Sequence, residues 1–189
     1  MLRRLSQRKA LLGLYALVAV IGVSVFAAYV ITEEPAWYLR VKYPLHYEHI
    51  ISNHSKNYEI DGALIAAVVY RESSFDPKAI SPSGAVGLMQ VLPSTAYGIA
   101  SLTGGAKFEE DDLYDPELNI RYGTFYLKRL LDYYGELRWA LAAYNAGQAV
   151  VDGWIKVGSE IIYPETRDYV KDVIRIRDLY RVSYGERLN

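Results

Sequence analysis

The sequence predicts a mostly α-helical domain behind a single N-terminal membrane-spanning helix. Three observations carry that expectation. Residues 10–32 form an apolar run without a single charge. Beyond it, apolar residues recur at helical spacing between Asp, Pro and Gly start and stop signals. The stretch 77–90, broken by Pro and Gly, leaves room for at most a small β element.

Taken in order, residues 1–9 read as a basic tail with Arg3, Arg4, Arg8 and Lys9. The run 10–32 would extend roughly 34 Å as a helix, enough for a hydrocarbon core of about 30 Å. Glu33-Glu34-Pro35 ends it. Basic flanks before and acidic flanks after predict a cytoplasmic N-terminus and an outward-facing body. A cleaved signal peptide is the competing reading, because Val25-Phe26-Ala27 loosely meets the small-residue pattern. Residues 33–44 read as a juxtamembrane linker whose Trp37, Tyr38 and Tyr43 suit the interfacial belt. The folded domain is expected over 45–189.

Within that domain, residues 46–58 predict a helix. Asp61 can cap the next, running through Leu64, Ile65, Val68 and Val69 to about Ser73. Pro93 opens a short helix that should stop at Gly104-Gly105. Asp115-Pro116 is a strong start, with Asp at the N-cap and Pro at N1. Ile120, Gly123, Leu127, Leu130, Leu131 and Tyr134 then mark one face until Gly135. Helices over 137–144 and 148–157 follow, separated by Asn145-Ala146-Gly147. Pro164 opens the last and longest, with Tyr169, Val170, Val173, Ile176 and Tyr180 facing inward.

Composition excludes several functions. The chain has 189 residues, 51% hydrophobic and 23% charged, as in a globular protein rather than a disordered one. Formal net charge is −1, and the four cations of the tail leave the remainder net negative, so no nucleic-acid footprint is present. With no cysteine there is no disulfide framework, thiolate zinc site or Cys-linked lipid anchor. His46, His49 and His54 share a helix, but their i, i+3, i+8 spacing does not gather three ligands on one face. Neither a metal nor a cofactor is expected.

The most informative residue is Glu72. It follows Ile65, Val68 and Val69 by seven, four and three positions, which puts it on the apolar face of its helix. Burial and the negative end of the helix dipole both disfavour a carboxylate there, so the group should hold its proton near neutral pH. That is the state a general acid needs. A helix-end Glu paired with Arg71 or Lys78 is the alternative, and periodicity does not decide between them. The loop that follows favours the acid: Gly84 and Gly87 permit close backbone approach, and Ser81 and Gln90 offer polar groups to a substrate. Ser83 reads as a turn residue. Leu88, Met89, Val91 and Leu92 read as core or cleft lining. Tyr144-Asn145 sits where a helix stops at glycine, as a C-cap or as a pair facing open space.

At these residues the chain resembles a known family. Glu72-Ser73, then Ser81-Pro82-Ser83-Gly84-Ala85-Val86-Gly87-Leu88-Met89-Gln90, then Ala143-Tyr144-Asn145-Ala146-Gly147 resemble the three motifs of the soluble-type lytic transglycosylase catalytic domain, glycoside hydrolase family 23. Pro164-Glu165-Thr166-Arg167-Asp168-Tyr169-Val170 resembles its fourth. The resemblance covers about residues 45–184 and implies a lysozyme-like fold of the goose-type lysozyme and transglycosylase group. It implies Glu72 as catalytic acid then base, and Ser81 as the serine that positions the substrate. Gln90, Tyr144, Asn145 and Glu165 would be cleft residues. Leu92 stands where the family often has methionine, a change that keeps the apolar wall.

The reaction implied is non-hydrolytic cleavage of the β-1,4 bond between N-acetylmuramic acid and N-acetylglucosamine in peptidoglycan, leaving 1,6-anhydro ends. Ordinary glycosidases use two carboxylates; here no second acid lies near Glu72 in sequence except Asp76 beyond a turn. Two other readings stay open: a goose-type lysozyme-like hydrolase that uses water, and a non-catalytic, membrane-tethered peptidoglycan-binding scaffold. In each, the partner is the glycan strand and the protein sits at the bacterial cytoplasmic membrane, its domain on the cell-wall side.

Overall fold

The computed structural model describes residues 2–104 and 107–188. Gly105, expected to help stop a helix, lies outside them, as do the side chains of Arg3, Arg4 and Lys9. Contacts divide the chain into two units that meet between Lys42 and Tyr43.

The first unit is helical almost throughout. α1 runs over Leu2–Glu33, so the basic tail continues the apolar helix rather than preceding it. Its stretch Leu11–Glu33 is long and apolar enough to cross a membrane, and none of it is buried within the protein. The expected linker is instead largely a second helix, α2 (Ala36–Lys42). Pro35 starts it, its carbonyl accepting from the amides of Tyr38 and Leu39 at 2.8 and 3.1 Å. Lys42 reaches back to Glu34 at 3.0 Å. Trp37 stacks on Phe26 with centroids 6.2 Å apart. Aromatic and cationic side chains on a short helix suit the same interfacial role that was expected of an irregular linker.

The second unit is built from α3 (Glu48–Tyr58), α4 (Gly62–Ser73), α5 (Pro93–Thr103), a 3₁₀ turn (Glu110–Tyr114), α6 (Pro116–Tyr134), α7 (Leu137–Ala146), α8 (Gln148–Lys156) and α9 (Pro164–Leu188). Local chemistry explains the boundaries. The Asp61 carboxylate caps α4 by accepting from the Ala63 amide at 3.0 Å. Asp115 does the same for α6 through the Leu118 amide at 2.9 Å, with Pro116 at N1. Gly104, Gly135 and Gly147 cap the ends of α5, α6 and α7. The 3₁₀ turn was not anticipated. It is closed by a reciprocal pair in which the Glu109 and Asp112 side chains satisfy each other's backbone amides.

α4 is the axis of the core. From Gly62 to Val69 every residue is buried, so the helix is enclosed on all sides rather than along one stripe. α9 is its main packing partner. Its Tyr169, Val170, Val173, Ile176 and Tyr180 are buried as expected from their spacing, and Tyr184 is buried as well. Gly62 is required where the two meet: a Cβ there would sit 2.3 Å from the Leu188 carbonyl oxygen. Tyr70, Phe75 and Tyr180 meet edge to face around the end of α4. α9 also holds the start of the domain, with the Tyr180 and Tyr184 hydroxyls donating to the carbonyls of Pro44 and Tyr43 at 3.0 and 3.2 Å.

The segment between α4 and α5 is the expected loop with a minimal β element. Val86 forms isolated antiparallel bridges with Ile80 and Val91. The loop is anchored by Asn119 of α6, which is buried. Its Oδ1 accepts from the Met89 amide at 2.8 Å, and its Nδ2 donates to the carbonyls of Val86 and Leu113 at 2.9 and 2.8 Å. Gly87, at φ +78°, faces that amide; a Cβ would fall 2.3 Å from Asn119 Nδ2. The left-handed conformation expected of this glycine is present, and its missing side chain makes room for Asn119. Gly123 similarly admits Met89, whose Cβ would be 2.6 Å from an added methyl group.

Candidate active site

Glu72 lies in the last turn of α4, with the loop drawn up beside it. The Ser73 hydroxyl donates to the Leu88 carbonyl at 2.8 Å, fastening helix end to loop. The Tyr144 hydroxyl of α7 donates to the next carbonyl, Met89, at 2.8 Å. From α9 the Tyr169 hydroxyl donates directly to Glu72 Oε1 at 2.6 Å. Three segments distant in sequence thus enclose one carboxyl group.

The enclosure sets the proton affinity of that group. Burial pushes the Glu72 pKa from the ordinary 4.5 to about 7, against the opposing effects of the Tyr169 hydrogen bond and the Arg71 charge. The alternative in which Arg71 or Lys78 pairs with the acid does not hold. Arg71 turns to Asp172, Nε to Oδ2 at 3.4 Å, and lies over the Tyr169 ring at 5.6 Å. Burial also raises the hydroxyls of Tyr144 and Tyr169 well above an ordinary phenol, with the Glu72 charge adding to the effect in both. Both remain hydrogen-bond donors at any working pH.

The other expected site residues are placed unequally. Ser81 braces the loop: its hydroxyl accepts from the Ala85 amide at 2.9 Å and shares a hydrogen bond with Ser83 at 2.8 Å. Gln90, at φ 49°, spends its amide nitrogen on the carbonyls of Ala79 and Gly87, at 3.1 and 2.9 Å. Both spend these polar groups on the loop itself. Asn145 is exposed, and its Oδ1 accepts from the Thr166 hydroxyl at 2.8 Å, which ties α7 to the start of α9. Glu165 is exposed in the first turn of α9, one helical turn before Tyr169. Among the lining candidates Leu88, Met89 and Val91 are buried, whereas Leu92 is 40% exposed.

Two of the three histidines are occupied elsewhere. His54 Nε2 and Glu117 Oε1 lie 2.8 Å apart, and His46 packs edge-on against Phe75. Sequence reasoning missed two contributors. Tyr169 reads as an inward-facing core aromatic, and only its place in the fourth motif signals more. Asn119 reads as a polar residue of a helical first turn, with no local sign that three backbone groups depend on it.

A half-buried carboxyl at a helix end, its pKa pushed up to about 7, with a glycine-containing loop and two tyrosine hydroxyls near it, sits in a helical fold of the lysozyme-like class. Residues 49–160 match the family described as Transglycosylase SLT domain, and the chain belongs to that family. It is 33% identical over 162 residues to the soluble lytic murein transglycosylase of Escherichia coli, a match covering 79% of this chain and 25% of that protein. It is 39% identical over 108 residues to the membrane-bound lytic murein transglycosylase F of Yersinia pestis, covering 53% of this chain and 20% of that one. The crystal structure of the 70 kDa soluble lytic transglycosylase from Escherichia coli superposes with a TM-score of 0.72 at 34% identity. That match covers 78% of this chain and 26% of the other. The chain thus corresponds to about a quarter of the length of the soluble relative.

Proposed function

We propose that this protein is a membrane-anchored lytic transglycosylase that cleaves peptidoglycan glycan strands without water. The observation that carries the reading is the Glu72 carboxyl, protonated up to about pH 7 and hydrogen-bonded by Tyr169. Glu72 donates its proton to the glycosidic oxygen between N-acetylmuramic acid and N-acetylglucosamine, and the C1–O bond breaks. The carboxylate left behind takes the proton of the muramoyl C6 hydroxyl as that oxygen bonds to C1, closing a 1,6-anhydro ring. Tyr169 favours the carboxylate stage of this cycle, because its hydroxyl donates to the anion. Burial favours the acid stage. The balance near neutrality lets one residue serve both steps.

The remaining residues take positioning roles. Tyr144 and Gln90 hold the loop wall against which the scissile sugar sits. Ser81 presents the polar edge of that loop to the N-acetyl group. Asn145 and Glu165 offer exposed polar groups at the junction of α7 and α9. No metal or cofactor enters the scheme. The anchor over residues 10–32 keeps the domain of residues 45–189 at the outer face of the cytoplasmic membrane, with the N-terminus inside.

Product analysis tests the reaction. Digestion of purified peptidoglycan should release anhydromuropeptides, read by mass as products lacking the water that a muramidase adds. Reducing ends as the main product would make the protein a hydrolase of the goose-lysozyme kind; no cleavage at all would make it a binding scaffold.

Tyr169→Phe offers a sharper readout. Removing a hydrogen bond that favours the carboxylate raises the Glu72 pKa further, by about one unit for a bond to a charged group. The alkaline limb of the activity–pH profile should therefore move upward, while maximal turnover falls because the less acidic carboxyl gives its proton to the leaving oxygen less readily. An unchanged limb would mean that Tyr169 does not contact the working acid.

A further inference from the structure

A cavity of about 300 Å³ opens between α5, α6 and the start of α8. Thr95, Tyr126, Arg129, Tyr133 and Gln148 line it over an apolar base that includes Ile99 and Leu130. One of its lining residues packs against a residue of the acid site. Tyr126 lies against Tyr144 with ring centroids 5.6 Å apart, and Tyr144 feels the Glu72 charge. From the acid to the cavity the path is thus one tyrosine, then a second, then the guanidinium.

Arg129 is the unusual member. Its neighbour Lys128 is tied to Asp132 at 2.7 Å. Arg129 itself is exposed and makes no hydrogen bond or ion pair among the described residues. Arg129 and Tyr126 line the cavity together, and the Arg129 charge partly offsets the rise that burial causes in the Tyr126 hydroxyl. Tyr126, Arg129, Leu130 and Tyr133 form one stripe at i, i+3, i+4 and i+7 of α6. An unpaired fork of donors between two tyrosines, on a body that is net negative, is a local exception that suits a carboxylate.

We propose that this cavity is a specificity site in which Arg129 binds a carboxylate of the substrate's stem peptide. The inference rests on the peptidoglycan reading above and adds what that reading leaves open, namely which feature of the strand the protein selects. Stem peptides hang from the muramic acid residues through an amide, so on intact strands the free carboxylates belong to the peptide. The cavity has room for about one peptide residue, with the tyrosine faces against its stem and the guanidinium at its acid end.

The full-length protein in detergent can be assayed on three forms of one peptidoglycan preparation: intact strands, strands whose carboxyl groups have been converted to amides, and strands stripped of peptide to expose the lactyl carboxylate. Arg129→Ala should raise KM on intact strands about tenfold with kcat unchanged. On amidated strands wild type and variant should be alike, both resembling the variant on intact strands. Arg129→Lys should recover part of the loss, since it restores charge without the fork. An Arg129→Ala variant unchanged on intact strands, or equally impaired on amidated ones, would overturn the proposal. So would an effect as large on stripped strands, which would assign the lactyl group instead. Wild type inactive on every form, or yielding reducing ends, would defeat the transglycosylase reading itself, a different failure.

Discussion

Glu72→Gln should reduce cleavage by about a thousandfold, the scale expected when a positioned general acid is lost, while the protein stays folded. The carboxyl spends its protonated life much like an amide in shape, so neither the Tyr169 contact nor the turn of α4 needs to rearrange. Stability provides an independent check with a defined sign. The folded-state pKa of about 7 exceeds the ordinary 4.5, so between those values the native state holds a proton that the unfolded chain has lost. Wild-type stability therefore falls as pH rises through that window. Glutamine does not titrate. Thermal unfolding should show Glu72→Gln gaining on wild type between pH 4.5 and 7 and keeping the advantage above it. Residual wild-type activity would move the acid elsewhere, and a constant stability difference across pH would mean that Glu72 is not buried as described.

The second large effect lies away from the acid. Asn119→Ala should cost about 4 kcal/mol, because it strips partners from the Met89 amide and from the carbonyls of Val86 and Leu113, each unsatisfied group costing about 1–3 kcal/mol. That is a large fraction of the roughly 5–15 kcal/mol that holds a domain folded. Denaturant or thermal unfolding should show the drop directly. Activity should also fall below what the folded fraction predicts, since Met89 carries the carbonyl that positions Tyr144. Asn145→Ala, at an exposed helix end, is the comparison: it removes the one hydrogen bond from the Thr166 hydroxyl and should cost about 1 kcal/mol. Equal stabilities for the two variants would mean that the loop is held by something other than Asn119.

The contrast between these two asparagines marks how far the sequence could be read. Helix starts at Asp61, Asp115 and Pro164 were legible because capping is local chemistry, decided by one residue and the three that follow. The burial of Glu72 was half legible: spacing put it on the apolar face, but the choice between a lone acid and an Arg71 pair needed the tertiary structure. Arg71 is drawn off by Asp172, a hundred residues away along the chain and invisible to any local pattern. Ser81 and Gln90 were singled out for a substrate, whereas the structure shows their polar groups holding the loop, because polar groups in a tight turn satisfy the backbone first. The juxtamembrane helix α2 was missed since a seven-residue helix offers too little periodicity to distinguish from irregular chain. Apart from that short helix, long-range dependence separates what was legible from what was not.

The contact between Tyr169 and Glu72 joins residues 97 positions apart, and it exists only when α9 lies against α4. Chains are made from the N-terminus onward, so the acid is synthesised long before its partner. Until the closing helix docks, Glu72 sits at the end of an exposed apolar segment, close to water and with the affinity for protons of any other glutamate. On the proposed function, the ability to break a glycan strand does not accumulate with chain length. It arrives in one step at the end of folding, so that an unfinished copy of the proposed enzyme is chemically silent.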